Sequence, residues 1–388
     1  RRPPRSTPLY SSAASDVYKR QFNASTLVAA AATQGYKKLK YKAFVTQFIN
    51  PTILLLSMIA CFWFFSAESA LMFPMLITGI VGLVAMLKPI QHLSGVTPSQ
   101  FISAKFNYDL LKFSYPFMFV IILQTFMHWM DILMLGYFTN ATTVGLYHPA
   151  ARTAGLLQAL LMSFISIYAP MISQFHSEKN LIKMNNTYKM VSRWLLLFSI
   201  PIAIIFIIFP GNILSLFGKE YIASADVLII LTIATLLQAV SGAASPTLGM
   251  SGFTRVVLFN TIFAFILNFG LNYNLIPNYG INGAAYATLI TLIIIGSVRT
   301  IQVRFLLKMN FFSFKLLKPL VSGIATYYAI NNLKPFLSNF NFLFELLIAL
   351  PVCMLIYTLI MFIMKLDEED RSFISSLGII KKGLKRNR

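Results

Sequence analysis

Two pairs of polar residues lie inside apolar segments of the sequence, where charge is costly. His128 and Asp131 occur in the run QTFMHWMDILMLG (residues 124–136), and His148 and Arg152 occur in the next apolar run. Residues three or four positions apart share one face of an α-helix. A carboxylate or a guanidinium in hydrocarbon needs a partner or a water-filled cavity. These four residues are therefore the first candidates for a binding site.

The spacing predicts that Asp131 and Arg152 lie at the same depth. Asp131 stands six residues before a turn at 137–146, and Arg152 stands six residues after it. At 1.5 Å per residue, both are about 9 Å inside the membrane boundary. Either they form an ion pair that locks the helices together, or Arg152 binds an anion in a cavity, because its planar fork suits phosphate. The two roles are compatible, and His128 is a further candidate for proton coupling.

A second group of polar residues is Asn260, Asn268 and Asn272, within the apolar run 256–276. Spacings of eight and four residues place the three amides in one sector of a helix. They either form hydrogen bonds between helices or line a cavity and bind sugar hydroxyls. The seven residues named so far are the predicted substrate-binding residues.

The composition indicates an all-α, polytopic membrane protein. Hydrophobic residues make up 57% of the 388 residues and charged residues 11%, against about 25% charged in soluble domains. Cys61 and Cys353 both lie in apolar runs, without the spacing of a disulfide framework or a metal site. We find no P-loop and no catalytic constellation, and we predict no catalytic residue, no metal and no cofactor.

Ten apolar runs are long enough to cross a bilayer of about 30 Å, and a partial run (22–33) precedes them. The ten runs are 43–66, 69–88, 114–136, 147–174, 191–210, 224–248, 256–276, 283–300, 317–333 and 342–364. Alternate loops and the C-terminal tail hold 24 Lys and Arg residues, whereas the opposite loops hold only Lys219 and Lys334. The positive-inside rule places the basic side, including the tail, in the cytoplasm. The net charge of +20 therefore reflects topology, and we predict no binding to nucleic acid.

The sequence divides into five predicted regions. Residues 1–21 contain SSAASDVYKRQ, which resembles translated adapter read-through, and we predict a non-native leader. The others are the end of a first transmembrane lobe (22–88), a cytoplasmic linker (89–113), a second six-helix lobe (114–300), and two extra helices with a basic tail (301–388). A faint repeat, 33–50 against 250–268, has an offset of 217 residues. This offset predicts that about three of about fourteen helices are missing from the first lobe.

Two segments carry a family resemblance. FNYDLLKFSYPFMF, followed by MDILMLGYFTNATTVGLYHPAAR, and LIPNYGINGAAYAT (275–288) resemble polysaccharide transporter flippases of the multidrug/oligosaccharidyl-lipid/polysaccharide (MOP) exporter superfamily. The resemblance implies a MATE-like, two-lobe helical bundle around a cavity. It implies a flippase that moves an undecaprenyl-diphosphate-linked oligosaccharide across the bacterial cytoplasmic (inner) membrane, for O-antigen, capsule or exopolysaccharide synthesis. A polysaccharide polymerase and a chain-length regulator are candidate partners. Arg152 matches the family's recurrent basic position after the GLY turn.

Two other functions stay open. A cation-coupled multidrug exporter of the same superfamily favours intramembrane acids, and Asp131 is the central one here. A membrane polymerase or glycosyltransferase needs a substantial loop or domain outside the bilayer, but the outer loops are short and contain no such constellation. We therefore predict that the protein is not an enzyme.

Overall fold

The computed structural model describes residues 9–36, 38–64, 67–95, 107–310, 314–337 and 341–364, and these are helical with short turns and contain no strand. The all-α prediction is confirmed for them. Among them, eight helices are long and apolar enough to cross a membrane. Helices satisfy their own backbone hydrogen bonds, which an apolar solvent requires. The centre of the predicted linker (96–106) and the basic tail (365–388) lie outside the described residues.

The first compact unit ends at Asn107. Its helices are α1 (Leu9–Gly35), α2 (Leu39–Phe44), α3 (Asn50–Phe64) and α4 (Ala67–Ser94). Helix α1 continues without a break across residues 21 and 22, where the predicted leader ends. Helices α1 and α3 pack on α4, and Thr26 donates its hydroxyl to the Gly79 carbonyl of α4 at 3.3 Å.

One π-helical turn, Val45–Ile49, lies between α2 and α3. Its position follows from Pro51, because proline has no N–H to donate to the carbonyl four residues earlier and its ring crowds that carbonyl. The helix accommodates proline by widening for one turn. The π-helical turn is therefore the local response of the helix to Pro51.

The second compact unit begins at Tyr108 and contains the predicted site residues. Its helices are α5 (Tyr108–Phe138), α6 (Ala141–Ser177), α7 (Leu181–Ile208), α8 (Pro210–Ser215), α9 (Ala225–Ser241), α10 (Ala244–Met250), α11 (Thr254–Leu307), α12 (Leu317–Leu337) and α13 (Phe342–Ile363). Short 3₁₀ turns, Lys219–Ser224 and Phe314–Leu316, precede α9 and α12. The buried core of this unit is formed mainly by α6, α7, α9 and α11.

Asparagine side chains define two of the helix starts. Asn140 Oδ1 accepts the Thr143 N–H at 2.9 Å before α6, and Asn180 Oδ1 accepts the Lys183 N–H at 3.0 Å before α7. Each bond satisfies a backbone donor that the first helical turn leaves unpaired. The turn between α5 and α6 is therefore short, and these two helices run in opposite directions.

Helix α11 is a hairpin of two arms that meet at Gly280, whose φ of +55° falls in the left-handed region that favours glycine. Cross-arm hydrogen bonds join Asn260 to Gln302 and Asn268 to Thr291. The sequence separation between partners shrinks toward Gly280, as an antiparallel pair requires. The two predicted spans 256–276 and 283–300 thus correspond to the first arm (254–279) and the second arm (281–307).

Helices α12 and α13 attach to the end of α7. Lys334 donates to the Ile208 carbonyl at 2.8 Å, which satisfies one of the last carbonyls of α7. Asn212 of α8 donates a short hydrogen bond to the Glu345 carboxylate of α13. Polar bonds therefore fix the two C-terminal helices at one end of the second unit.

Candidate functional site

The Asp131 carboxylate is held by three neutral donors from α6 and both arms of α11. Asn272 donates its amide to Oδ1 at 2.8 Å, and the Tyr147 hydroxyl donates to Oδ2 at 2.8 Å. The Thr288 hydroxyl donates to the same Oδ2 at 2.8 Å. Such bonds offset the cost of removing a carboxylate from water. Asp131 therefore links α5 to α6 and to both arms of α11 through hydrogen bonds.

The hydrogen bonds continue from Asp131 along the first arm of α11. The Asn272 amide also lies 3.2 Å from Asn268 Oδ1, and the Asn268 amide lies 3.5 Å from Thr291 Oγ1. Asn272 Oδ1 is buried and receives no hydrogen bond. Carboxylate, amide and hydroxyl oxygens are the ligands that hard cations prefer. This Asp131 cluster (Asp131, Tyr147, Asn268, Asn272 and Thr288) could therefore hold a small cation or exchange a proton.

Of the two roles left open for Asp131 and Arg152, the structure does not show the ion pair. Arg152 Nε donates to His148 Nε2 at 3.5 Å, and Asp131 bonds to its three neutral donors instead. The reason is the face of α6: Arg152 is five residues after Tyr147, so their side chains point about 140° apart around the helix. Tyr147 bonds Asp131, whereas Arg152, which lines the same cavity, bonds His148. Equal depth was not sufficient to predict contact.

A cavity of about 480 Å³ opens between α5, α6, α9 and α11. It contains five of the seven predicted site residues, namely His128, Asp131, His148, Arg152 and Asn268. Arg152 is exposed within it. Most of the remaining lining is apolar, and the neutral polar side chains within it are Gln124, Gln158, Thr235, Gln238, Thr261, Thr288 and Thr291, beside the Tyr147 hydroxyl. The cavity therefore offers the guanidiniums of Arg152 and Arg299, a carboxylate already supplied with donors, and several neutral hydrogen-bonding groups on a mainly apolar wall.

The other two predicted residues lie outside the cavity lining. Asn272 is buried in the Asp131 cluster. Asn260 exchanges two amide hydrogen bonds with Gln302 of the second arm, at 2.5 and 2.9 Å. Of the two roles left open for the asparagines, Asn260 and Asn272 have the hydrogen-bonding one, whereas Asn268 bonds Thr291 and also lines the cavity.

Sequence reasoning missed Tyr147, Thr288 and Arg299. Thr288 has a signal in retrospect, because a hairpin centred on Gly280 places residue 288 opposite Asn272. Tyr147 is the neighbour of His148, and its apolar ring hid it among core residues. Arg299 was counted among the basic residues of a loop, but it lies on the second arm of α11 and lines the cavity.

The chain matches two family models. MatE matches residues 116–274, a range that includes Asp131 and Arg152. A model described as a polysaccharide biosynthesis protein matches residues 13–176. The two matches overlap in α5 and α6, which form one wall of the cavity.

Two curated relatives come from Haloferax volcanii. The probable low-salt glycan biosynthesis flippase Agl15 is 29% identical over 164 residues, 42% of this chain and 35% of that protein. The probable flippase AglR is 28% identical over 185 residues, 45% of this chain and 37% of that protein. Each match thus spans little more than a third of the relative's length.

The fold is similar to a solved structure of the lipid II flippase MurJ in an inward closed conformation. The TM-score is 0.61 at 17% sequence identity, covering 92% of this chain and 72% of that chain. At this identity the likeness concerns the fold. Together with the family models and the two relatives, it supports the resemblance, drawn from the sequence, to flippases of the multidrug/oligosaccharidyl-lipid/polysaccharide exporter superfamily.

Proposed function

We propose that the chain functions as a flippase that moves a lipid-linked oligosaccharide across the membrane by alternating access. Its substrate is a repeat unit on undecaprenyl diphosphate, destined for O-antigen, capsule or exopolysaccharide. It works in a bacterial cytoplasmic membrane with its C-terminal tail in the cytoplasm. A polysaccharide polymerase and a chain-length regulator then use the flipped unit. Transport of this kind needs no covalent step at the protein.

The observation that carries this proposal is the position of Arg152, which is exposed in a cavity among apolar helices. Its hydrogen bond goes to a histidine rather than to an acid. An arginine in such a place is costly unless it meets water or an anion. Its fork donates paired hydrogen bonds to phosphate oxygens. Arg152 is thus suited to bind the diphosphate of a lipid-linked sugar.

The remaining lining suits the sugar. Glutamine amides and threonine hydroxyls both donate and accept hydrogen bonds, as sugar hydroxyls do. Gln124, Gln158 and Gln238 are distributed over three helices of the lining, so they offer hydrogen bonds from several sides. The polyprenyl tail stays among the acyl chains of the bilayer.

The Asp131 cluster supplies a means of coupling. A cation bound there would replace hydrogen-bond donors on the carboxylate and alter the contacts between α5, α6 and both arms of α11. Because these helices form the cavity wall, occupancy of the cluster would favour one arrangement of the wall over another. We propose that a small cation, taken up at Asp131, drives the cycle.

A second candidate function is cation-coupled export of small drugs. The observation in its favour is that Asp131 lines the cavity, where an acid attracts cationic compounds. Against it, the exposed Arg152 lines the same cavity and repels a cationic ligand. The two functions require substrates of opposite charge, so one transport assay distinguishes them.

The test is transport in proteoliposomes by the purified chain. A fluorescent undecaprenyl-diphosphate disaccharide is scored by its protection from dithionite, and the same disaccharide on an uncharged polyprenol is the control. We expect transport of the diphosphate lipid by the wild type and loss of it in Arg152→Ala. Arg304→Gln is the matched control, since Arg304 is exposed, bonds Asn310 and is outside the cavity lining. Equal transport by Arg152→Ala, or transport of ethidium instead, would refute the proposal.

A further inference from the structure

A second arginine, Arg299, lines the same cavity. Its Nε is buried and has no hydrogen-bond partner. Arg304, five residues later on the same arm, is exposed and donates to Asn310 at 2.8 Å. Arg299 therefore differs from an ordinary basic residue at a helix end, because its Nε–H is buried and unpaired although the side chain as a whole is only half-buried.

Arg299 lies at a different level from Arg152. Tyr147 and Thr288 donate to the same oxygen of Asp131 and so define a common level. Arg152 is five residues beyond Tyr147, and Arg299 is eleven residues beyond Thr288. Helix α6 and the second arm of α11 run in the same direction, because four reversals of the chain separate them. At 1.5 Å per residue, Arg299 is about 9 Å farther along the cavity.

Among the described residues that line the cavity, none places a countercharge beside Arg299. Asp131 is the acidic residue among the side chains that line this cavity. It lies at the level of Thr288, about 16 Å along the arm from Arg299. A guanidinium with a buried, unpaired Nε–H is unfavourable, whereas an oxyanion that enters the cavity would pair with it. The unpaired Nε–H of Arg299 and the distance to Asp131, the acid among the described lining residues, both indicate an anionic ligand.

We propose that Arg299 is a second anion-binding residue, separate from Arg152, which binds an oxyanion of the lipid-linked glycan. The idea rests on the proposed function, and it adds a requirement on the substrate. Two oxyanion chemistries fit a guanidinium fork: the diphosphate itself at an earlier or later stage of its passage, or the carboxylate of an acidic sugar bound while Arg152 binds the diphosphate. In both cases, Arg152 and Arg299 pair with negative charges of the ligand at two levels of the cavity.

Binding to the purified chain in phosphatidylcholine nanodiscs tests this. Inorganic pyrophosphate and digalacturonate serve as separate probes, measured by isothermal titration. We expect Arg299→Gln to weaken binding of one probe by roughly 10-fold or more, as loss of a charged hydrogen bond does. Arg299→Lys should recover part of it, and Arg304→Gln should change nothing. Weaker binding of pyrophosphate by Arg299→Gln identifies the diphosphate as the group that Arg299 binds. Weaker binding of digalacturonate identifies a sugar carboxylate instead.

A measurement on the unsubstituted chain covers the case in which Arg299→Gln does not fold. Phenylglyoxal modifies accessible arginines, and peptide mass spectrometry gives the rate at each one. The effective probe should slow modification of Arg299 and leave Arg304 unchanged. No protection of Arg299 by either probe overturns the proposal for this residue.

Arg152→Gln separates the two proposals. If it weakens pyrophosphate binding while Arg299→Gln weakens neither probe, the proposed function survives and the role of Arg299 is refuted. If neither variant weakens binding, both are refuted.

Discussion

The Tyr147 hydroxyl donates to Asp131 Oδ2 at 2.8 Å across the short turn between α5 and α6. Thr288 donates to the same oxygen, so one carboxylate oxygen links α5 to α6 and to the second arm of α11. Because neutral groups satisfy this carboxylate, Arg152 stays free of it. Acid and guanidinium can therefore have separate roles, and each can be tested without the other.

The rate of transport should depend on the planar guanidinium of Arg152 and not only on its positive charge. Arg152→Lys keeps the positive charge but replaces a planar, bidentate donor by a single ammonium. We expect it to flip the diphosphate lipid about 10-fold more slowly than the wild type, and Arg152→Ala to be inactive. Initial rates in proteoliposomes measure this, after normalisation to the amount of reconstituted protein. A lysine variant as fast as the wild type would exclude bidentate binding of the diphosphate.

Asp131→Asn should remove cation binding. If the Asp131 cluster binds a small cation, NaCl will raise the thermal unfolding temperature of the wild type relative to choline chloride at the same ionic strength, because ligands that bind the folded state stabilise it. Choline is too large for the cluster. The asparagine variant should unfold at the same temperature in both salts. Thr125→Val is a suitable control, since that hydroxyl bonds the Ile121 carbonyl of its own helix. Equal unfolding temperatures for the wild type in both salts would argue against a sodium site.

The sequence was sufficient to predict where the helices lie but not which of their side chains contact each other. Apolar runs predicted the spans in α5, α6 and both arms of α11, because length and composition alone decide whether a helix can cross a bilayer. The partner of Asp131 depended on a rotation of about 140° between Tyr147 and Arg152, which depth does not encode. Thr288 required the centre of the α11 hairpin, and that is fixed by the backbone of Gly280.

The Asn260–Gln302 pair should behave as a structural link. Replacing either residue by leucine leaves a buried amide without its partner, which costs about 1–3 kcal/mol. The double variant removes both polar groups and should recover most of that loss. Thermal unfolding of the four proteins gives the coupling energy, expected to be about 1 kcal/mol. Transport should be unchanged in the double variant, because neither residue lines the cavity. Additive losses would contradict a structural link between the two residues. A transport defect at normal stability would instead assign Asn260 to the substrate path.

Gly283 should be required for the close approach of the two arms of α11. A Cβ at this position would collide with the Leu275 carbonyl group and the Ile276 nitrogen, which are backbone atoms and cannot rotate away. Gly283→Ala should therefore force the arms apart and destabilise the fold by roughly 1–3 kcal/mol, as overpacking does. It should also shift Thr288 relative to Asn272 and weaken the Asp131 cluster.

Gly270→Ala is the matched control on the same helix, because nothing lies within 4 Å of its added Cβ. That change should be neutral or slightly stabilising, since alanine favours helix by about 1 kcal/mol. Thermal unfolding of both variants, with NaCl and with choline chloride, separates the two effects. If Gly283→Ala unfolds at the wild-type temperature and keeps its response to sodium, close packing at this turn does not position the site.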